Sequence, residues 1–136
     1  MFGRMWKKNS GSVIVETAVM FMIVTMLAVG YIYFTQAMRI NTVAKIAARE
    51  GARQYAVTND SYAAKEKVLS ELALGGVDPG AAYVATKASG NKRMVTVQIR
   101  YAFYTPFVGE CDLDLRGAAE YKLEQNPDFY QKEGKE

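Results

Sequence analysis

Three residues near the start of the chain have types and spacing that could do chemistry: Gly11, Ser12 and Glu16. A small residue precedes a neutral one, and a lone carboxylate follows five positions after the glycine, inside an otherwise apolar run. An ionised group at the centre of a bilayer costs about 2.5–3.5 kcal/mol, less near the surface, so a carboxylate placed there calls for a partner. The plainer reading is an interfacial acid at a helix start, where the macrodipole favours negative charge. Elsewhere the sequence offers little for catalysis. It has no histidine, the commonest general base and metal ligand. Its single cysteine, Cys111, cannot form an internal disulfide. Glu110, Asp112 and Asp114 stand close together, but they fall partly on a strand and lack the glycine-containing loop of a calcium site, so a solvated face is favoured. The Gly75–Gly80 segment GGVDPG lacks the preceding strand and the following Lys-Ser/Thr of a phosphate loop. The expectation is no enzyme: no catalytic residue, no metal and no cofactor.

The element that must position Glu16 runs from Gly11 to Tyr55 without a proline, and its only internal glycines are Gly30 and Gly51. It reads as one long helix over 12–57. Thr17–Phe34 is free of charge; its eighteen residues span about 27 Å as a helix, enough for a hydrocarbon core of about 30 Å. Tyr31, Tyr33 and Phe34 close the run as an aromatic belt would, while Arg4, Lys7, Lys8 and Trp6 precede it as a cytoplasmic flank. Arg39, Lys45, Arg49 and Arg53 place positive charge after the span too, yet long domains translocate largely regardless of charge, so the N-terminus is expected inside. A cleaved secretory signal is the rival; its apolar core is normally shorter, and Thr35-Gln36-Ala37 is a poor cleavage site. Removing the first eleven residues leaves 14 basic and 14 acidic residues, with no basic stripe of the kind nucleic acid requires.

Beyond the span, Ala37, Ile40, Ala44, Ala47, Ala48, Gly51 and Tyr55 recur at spacings of three and four, a narrow face that lets another backbone approach closely. Thr58–Ser61 breaks the helix and caps a second one over Tyr62–Leu74, with Ala64, Val68, Leu69, Leu72 and Ala73 as its stripe and Gly75-Gly76 as its end. Three strands follow, over Ala82–Lys87, Arg93–Thr105 and Cys111–Leu123, with Ala88–Asn91 as a hairpin turn and Pro106 and Gly109 in the second link. Val95, Val97, Ile99, Tyr101 and Phe103 share one face of the second strand, and Cys111, Leu113, Leu115, Ala119, Tyr121 and Leu123 one face of the third. That face is expected to cover the long helix, with Cys111 buried as a small hydrophobe. The tail from Asn126 is polar, and nothing demands a partner for its Phe129 and Tyr130.

The leader, with Gly11 before Ser12 and Glu16 five positions on, resembles that of type IV pilin-like proteins. Ala47-Ala48-Arg49-Glu50-Gly51-Ala52-Arg53, after an apolar N-terminal helix, resembles the hallmark of TadE-like proteins, the minor pilin-like components of the tight-adherence (Tad, or Flp) pilus system. The strand segment from Arg93 to Phe107 followed by Leu113–Glu124 is similar to the family's end in order and spacing, so the resemblance covers about 11–124. It implies cleavage between Gly11 and Ser12 by a prepilin peptidase, and pairing of Glu16 with a neighbour's new α-amine. It implies as partners the membrane, other pilin-like subunits (TadF-like and Flp-like), an assembly platform and the peptidase. The expected fold is α+β and pilin-like: leader 1–11, helix 12–57 with 17–34 transmembrane, cap 58–125 carrying a short helix and a three-stranded antiparallel sheet, and tail 126–136. The expected protein is a single-pass inner-membrane subunit with its cap outside, serving assembly of a Tad pilus used in adhesion, biofilm formation or DNA uptake. A membrane-anchored extracytoplasmic binding domain and a type II secretion pseudopilin remain as alternatives.

Overall fold

The computed structural model describes residues 10–105 and 108–123. The basic flank with Trp6, Pro106 of the second link, and the tail with Phe129 and Tyr130 lie outside them. The architecture is α+β, as expected: helix α1 (Ser10–Thr58), helix α2 (Ser61–Leu74), a 3-10 turn (Pro79–Ala81), and strands β1 (Ala82–Ser89), β2 (Lys92–Thr105) and β3 (Gly109–Lys122) in one antiparallel sheet of order β1-β2-β3. The chain divides into two compact units, Met1–Gln36 and Ala37–Glu136.

In the first unit the apolar side chains of α1 are exposed, Phe21, Leu27 and Phe34 among them. The helix is long and apolar enough to cross a membrane, with mean hydropathy 2.3 over its most apolar window. Its hydroxyls suit that solvent. Thr17, Thr25 and Thr35 each donate to the carbonyl four residues back, at 2.8, 2.8 and 2.9 Å, so these hydroxyls need no water.

The second unit is built on a helix face of alanine. Ala44, Ala47, Ala48 and Ala52 of α1 are fully buried, with Tyr55 and Ala56 continuing the face. Against them pack Ala64, Val68 and Leu72 of α2, Val77, and Val95, Val97 and Ile99 of β2. Burying each large aliphatic side chain contributes about 1.5–3 kcal/mol. The alanines contribute chiefly by letting the backbones approach. A Cβ at Gly117 of β3 would stand 2.5 Å from the carbonyl oxygen of Ala44 and 2.8 Å from the amide nitrogen of Lys45, so this strand lies on the helix backbone itself. Gly51 likewise receives a methyl of Val68, and Gly75 receives Val43.

α2 begins on Asp60, whose side chain accepts from the Tyr62 amide at 2.8 Å, and ends at Gly75, followed by Gly76 at φ +70°. Its buried stripe is narrower than the spacing predicts: Leu69 and Ala73 are exposed, because α2 meets only one side of the alanine face. The first hairpin is also tighter. Ser89 pairs with Lys92, leaving a two-residue turn with Gly90 at φ +55°, so Ala88 and Ser89 belong to β1. On β3, Leu113 and Tyr121 are more than 40% exposed and Cys111 is half-buried rather than buried; the one buried position is Gly117. An edge strand that rests its backbone on a helix lifts its flanking side chains clear of the core.

One charged residue sits in this core. Arg93, 8% exposed, donates from Nε to Asn59 Oδ1 at 2.8 Å and from one terminal nitrogen to the carbonyls of Gly90 and Lys92 at 2.9 and 3.2 Å. Its guanidinium lies 5.5 Å from the Tyr55 ring centre. Asn59 adopts φ +53° and donates its amide to the Tyr55 carbonyl, closing the end of α1. Arg93 thus ties the first hairpin turn to the helix end.

Two outcomes test this packing in the detergent-solubilised full chain. Gly117→Ala forces helix and strand apart and lowers stability by about 1–3 kcal/mol in urea titration, whereas Gly30→Ala, where a Cβ meets nothing, leaves the midpoint unchanged. Arg93→Ala costs about 1.5–3 kcal/mol, the worth of charge-assisted hydrogen bonds. Arg93→Lys recovers only part of it, since an ammonium lacks the planar fork.

Candidate functional site

No single cavity gathers the residues singled out in the sequence; they divide between the two units. In the first unit Gly11, Ser12 and Glu16 are all exposed on α1. Ser12 and Glu16 are one turn apart, so a charge at residue 12 and the Glu16 carboxylate share a face, at about 6 Å of axial rise. Among the described residues nothing hydrogen-bonds or ion-pairs with that carboxylate. Glu16 also lies beyond the first described turn of α1, and the macrodipole acts mainly within a first turn. The helix-start reading therefore leaves this acid without support among the described residues.

Farther along the same unit, Ile23, Met26, Leu27, Gly30, Tyr31 and Phe34 border a shallow apolar depression of about 420 Å³. Gly30 is one of its lining residues, and a Cβ added there would meet nothing within 4 Å.

In the second unit the Ala47–Arg53 stretch divides into two faces. Ala47, Ala48, Gly51 and Ala52 are buried against α2 and β2, and Gly51 is filled by Val68 with Val95 beyond it. Arg49 and Arg53 face solvent with Lys45, and Glu50 is half-buried. Glu50 and Arg53, three positions apart, do not pair, and the described residues include no carboxylate bonded to either arginine. Glu50 instead turns toward α2. There it adds to the field on Lys67, whose ammonium is held above its usual range first by the hydrogen bond it donates to Glu71, 2.7 Å away. Lys92 is raised in the same way by Glu120, also at 2.7 Å. Both lysines are surface groups whose pairs add little to stability.

The sequence reading did not find Arg93, although position 93 lies in phase with Val95 and Val97 and so on the inner face. An arginine two residues before a buried valine was the available signal. Nor did it flag Asn41, whose side-chain oxygen is buried without a hydrogen-bond partner. Glu110, Asp112 and Asp114 lie on the outer face of β3, exposed. Among the described residues no three metal-ligating side chains come together. A second depression, about 570 Å³, lies where β1 stops short of β2 and is lined by Tyr83, Gln98, Arg100 and Asp114. It is open and holds no arrangement of nucleophile and base.

What the sites offer is surface: an exposed acid and an apolar notch in one unit, a buried small-residue seam and an exposed cationic row in the other. Neither curated proteins nor solved structures yielded a match to the chain. The family model of TadE-like protein does match, over residues 11–53, the stretch that carries Glu16, the apolar span and the whole of Ala47–Arg53.

Proposed function

We propose that this chain is a structural, minor pilin-like subunit that primes or joins assembly of a Tad-type pilus. The observation that carries the reading is the Glu16 carboxylate, exposed on an apolar helix face and unpaired among the described residues. Such a group is costly in a bilayer until an opposite charge meets it. Cleavage between Gly11 and Ser12 creates that charge, an α-amine at Ser12, which in a neighbouring subunit neutralises Glu16. The apolar notch around Gly30 gives a second helix a place to lie close.

On this reading the N-terminus is inside, the span over Thr17–Phe34 holds the precursor in the inner membrane, and the second unit stands outside. The partners are the prepilin peptidase, TadF-like and Flp-like subunits, and an assembly platform; the assembled pilus serves adhesion and biofilm formation. The match over 11–53 supports a Tad pilus-related protein. The Ala47–Arg53 motif argues for this reading over a type II secretion pseudopilin, which loss of secretion rather than of pili on deletion would favour. A binding domain left uncut in the membrane would instead keep Met1.

The reading is tested by mass spectrometry of the mature N-terminus and by counting pili. With the peptidase present the chain starts at Ser12, and Gly11→Val leaves the precursor uncut. Glu16→Ala permits cutting but removes the chain from pili. Pili that form in normal number with either variant sink the proposal.

A further inference from the structure

A near-neutral chain can still be strongly polarised, and the second unit is. Lys45, Arg49 and Arg53 form one row on the exposed side of α1, each one turn from the next. The exposed Ile46, Met38 and Val57 flank the row with apolar surface. On the outer face of β3, Glu110, Asp112 and Asp114 form a second row with no base between them. Among the described residues the only ion pair touching either row is a loose one, Arg100 with Asp114 at 4.0 Å, between side chains 76% and 86% exposed.

The two rows have nearly the same pitch. Residues i and i+4 of a helix are about 6 Å apart along the axis, and residues i and i+2 of a strand about 6.8 Å. Long Lys and Arg side chains absorb the difference. The rows also run the same way. Val95 of β2 lies at Gly51 and Gly117 of β3 lies at Ala44, while Val97 pairs with Gly117. β2 therefore descends α1 as its numbers rise, and antiparallel β3 ascends with α1.

From this we propose that the cationic face of α1 docks on the acidic outer face of β3 in a second copy of this chain. The inference rests on the subunit reading above and names one of the partners. Because β3 and α1 are parallel, the docked α1 points the same way as the α1 of the receiving copy, as subunits added in turn to one fibre require; the axial displacement it needs means that the contact forms in the fibre and not between two spans in one bilayer. The contact is heterologous. It brings Arg49 to Asp112 only if one copy is displaced along α1 by roughly 20–25 Å. Repeating such a displacement never closes a ring and builds an open array.

The test uses full-length chains with two different tags, co-expressed in piliated cells and recovered with the sheared pili, with Cys111→Ser removing the native thiol. Arg49→Cys in one copy and Asp112→Cys in the other form a mixed disulfide on mild oxidation; Arg49→Cys with Glu66→Cys, on exposed α2, does not. In chains that keep Cys111, co-purification of the two tags falls about tenfold when one copy carries Lys45→Glu and Arg53→Glu, as like charges at an interface oppose docking. It returns when the other copy carries Glu110→Lys and Asp114→Lys. Failure of the reciprocal variants to restore it overturns the inference, and is the result an anionic lipid surface would give. Piliation is scored in parallel. Pili that need Glu16 without any mixed disulfide sink this contact alone, and a mixed disulfide in cells whose pili ignore deletion of the chain sinks only the pilus role.

Discussion

The second unit depends on how near a strand can come to a helix. Gly117 of β3 has the backbone of Ala44 where a side chain would begin, and Gly51 of α1 has Val68 in the same position. A face of four fully buried alanines makes both approaches possible. The cost is a core poor in large side chains: among the described residues only Leu72, Val68, Val95 and Val97 are both large and fully enclosed. Stability in such a unit comes from fit rather than from volume, since close-packed interiors lose contacts outright when any gap opens. Arg93 belongs to the same economy. It closes the end of the seam with hydrogen bonds to Asn59, Gly90 and Lys92 where an apolar plug is missing.

The Ala47–Arg53 stretch carries two separate demands. Its small residues make the seam, a requirement of folding; its arginines stay in water, free of folding duties. One heptad-length motif therefore records both how the unit closes and what it presents. Similarity over this stretch speaks first to architecture, and its bearing on partners rests on the exposed half.

Much of the fold was legible because the periods were clean. The long helix, the capped second helix and three strands followed from spacing, from Asp60 and Gly75, and from alternation in β2. The errors share a cause. Leu69, Ala73, Leu113 and Tyr121 were placed inward by pattern alone, and they are exposed because pattern gives a face but not how wide its cover is. Gly117 was passed over because a residue without a side chain adds nothing to an apolar count, though it marks the tightest contact on β3. Arg93 was passed over because its charge hid its phase. Of the candidate site, the residue types and the place of Glu16 on an apolar helix could be anticipated. That Arg49 and Arg53 stand in a free row parallel to an acidic strand could not, since it depends on which strand crosses the helix and in which direction.

The direction of those strands has a mechanical meaning. A pull applied where the chain joins the unit at Ala37, along the axis of α1, runs alongside β2 and β3 rather than across them. The seam is then loaded in shear. Every alanine contact along it must slip together, with the Ala44 carbonyl seated against Gly117 as a stop, whereas a pull across the seam would open the contacts one after another. A unit held by small residues, modest in its total burial, is in this way strongest along the axis of its own helix.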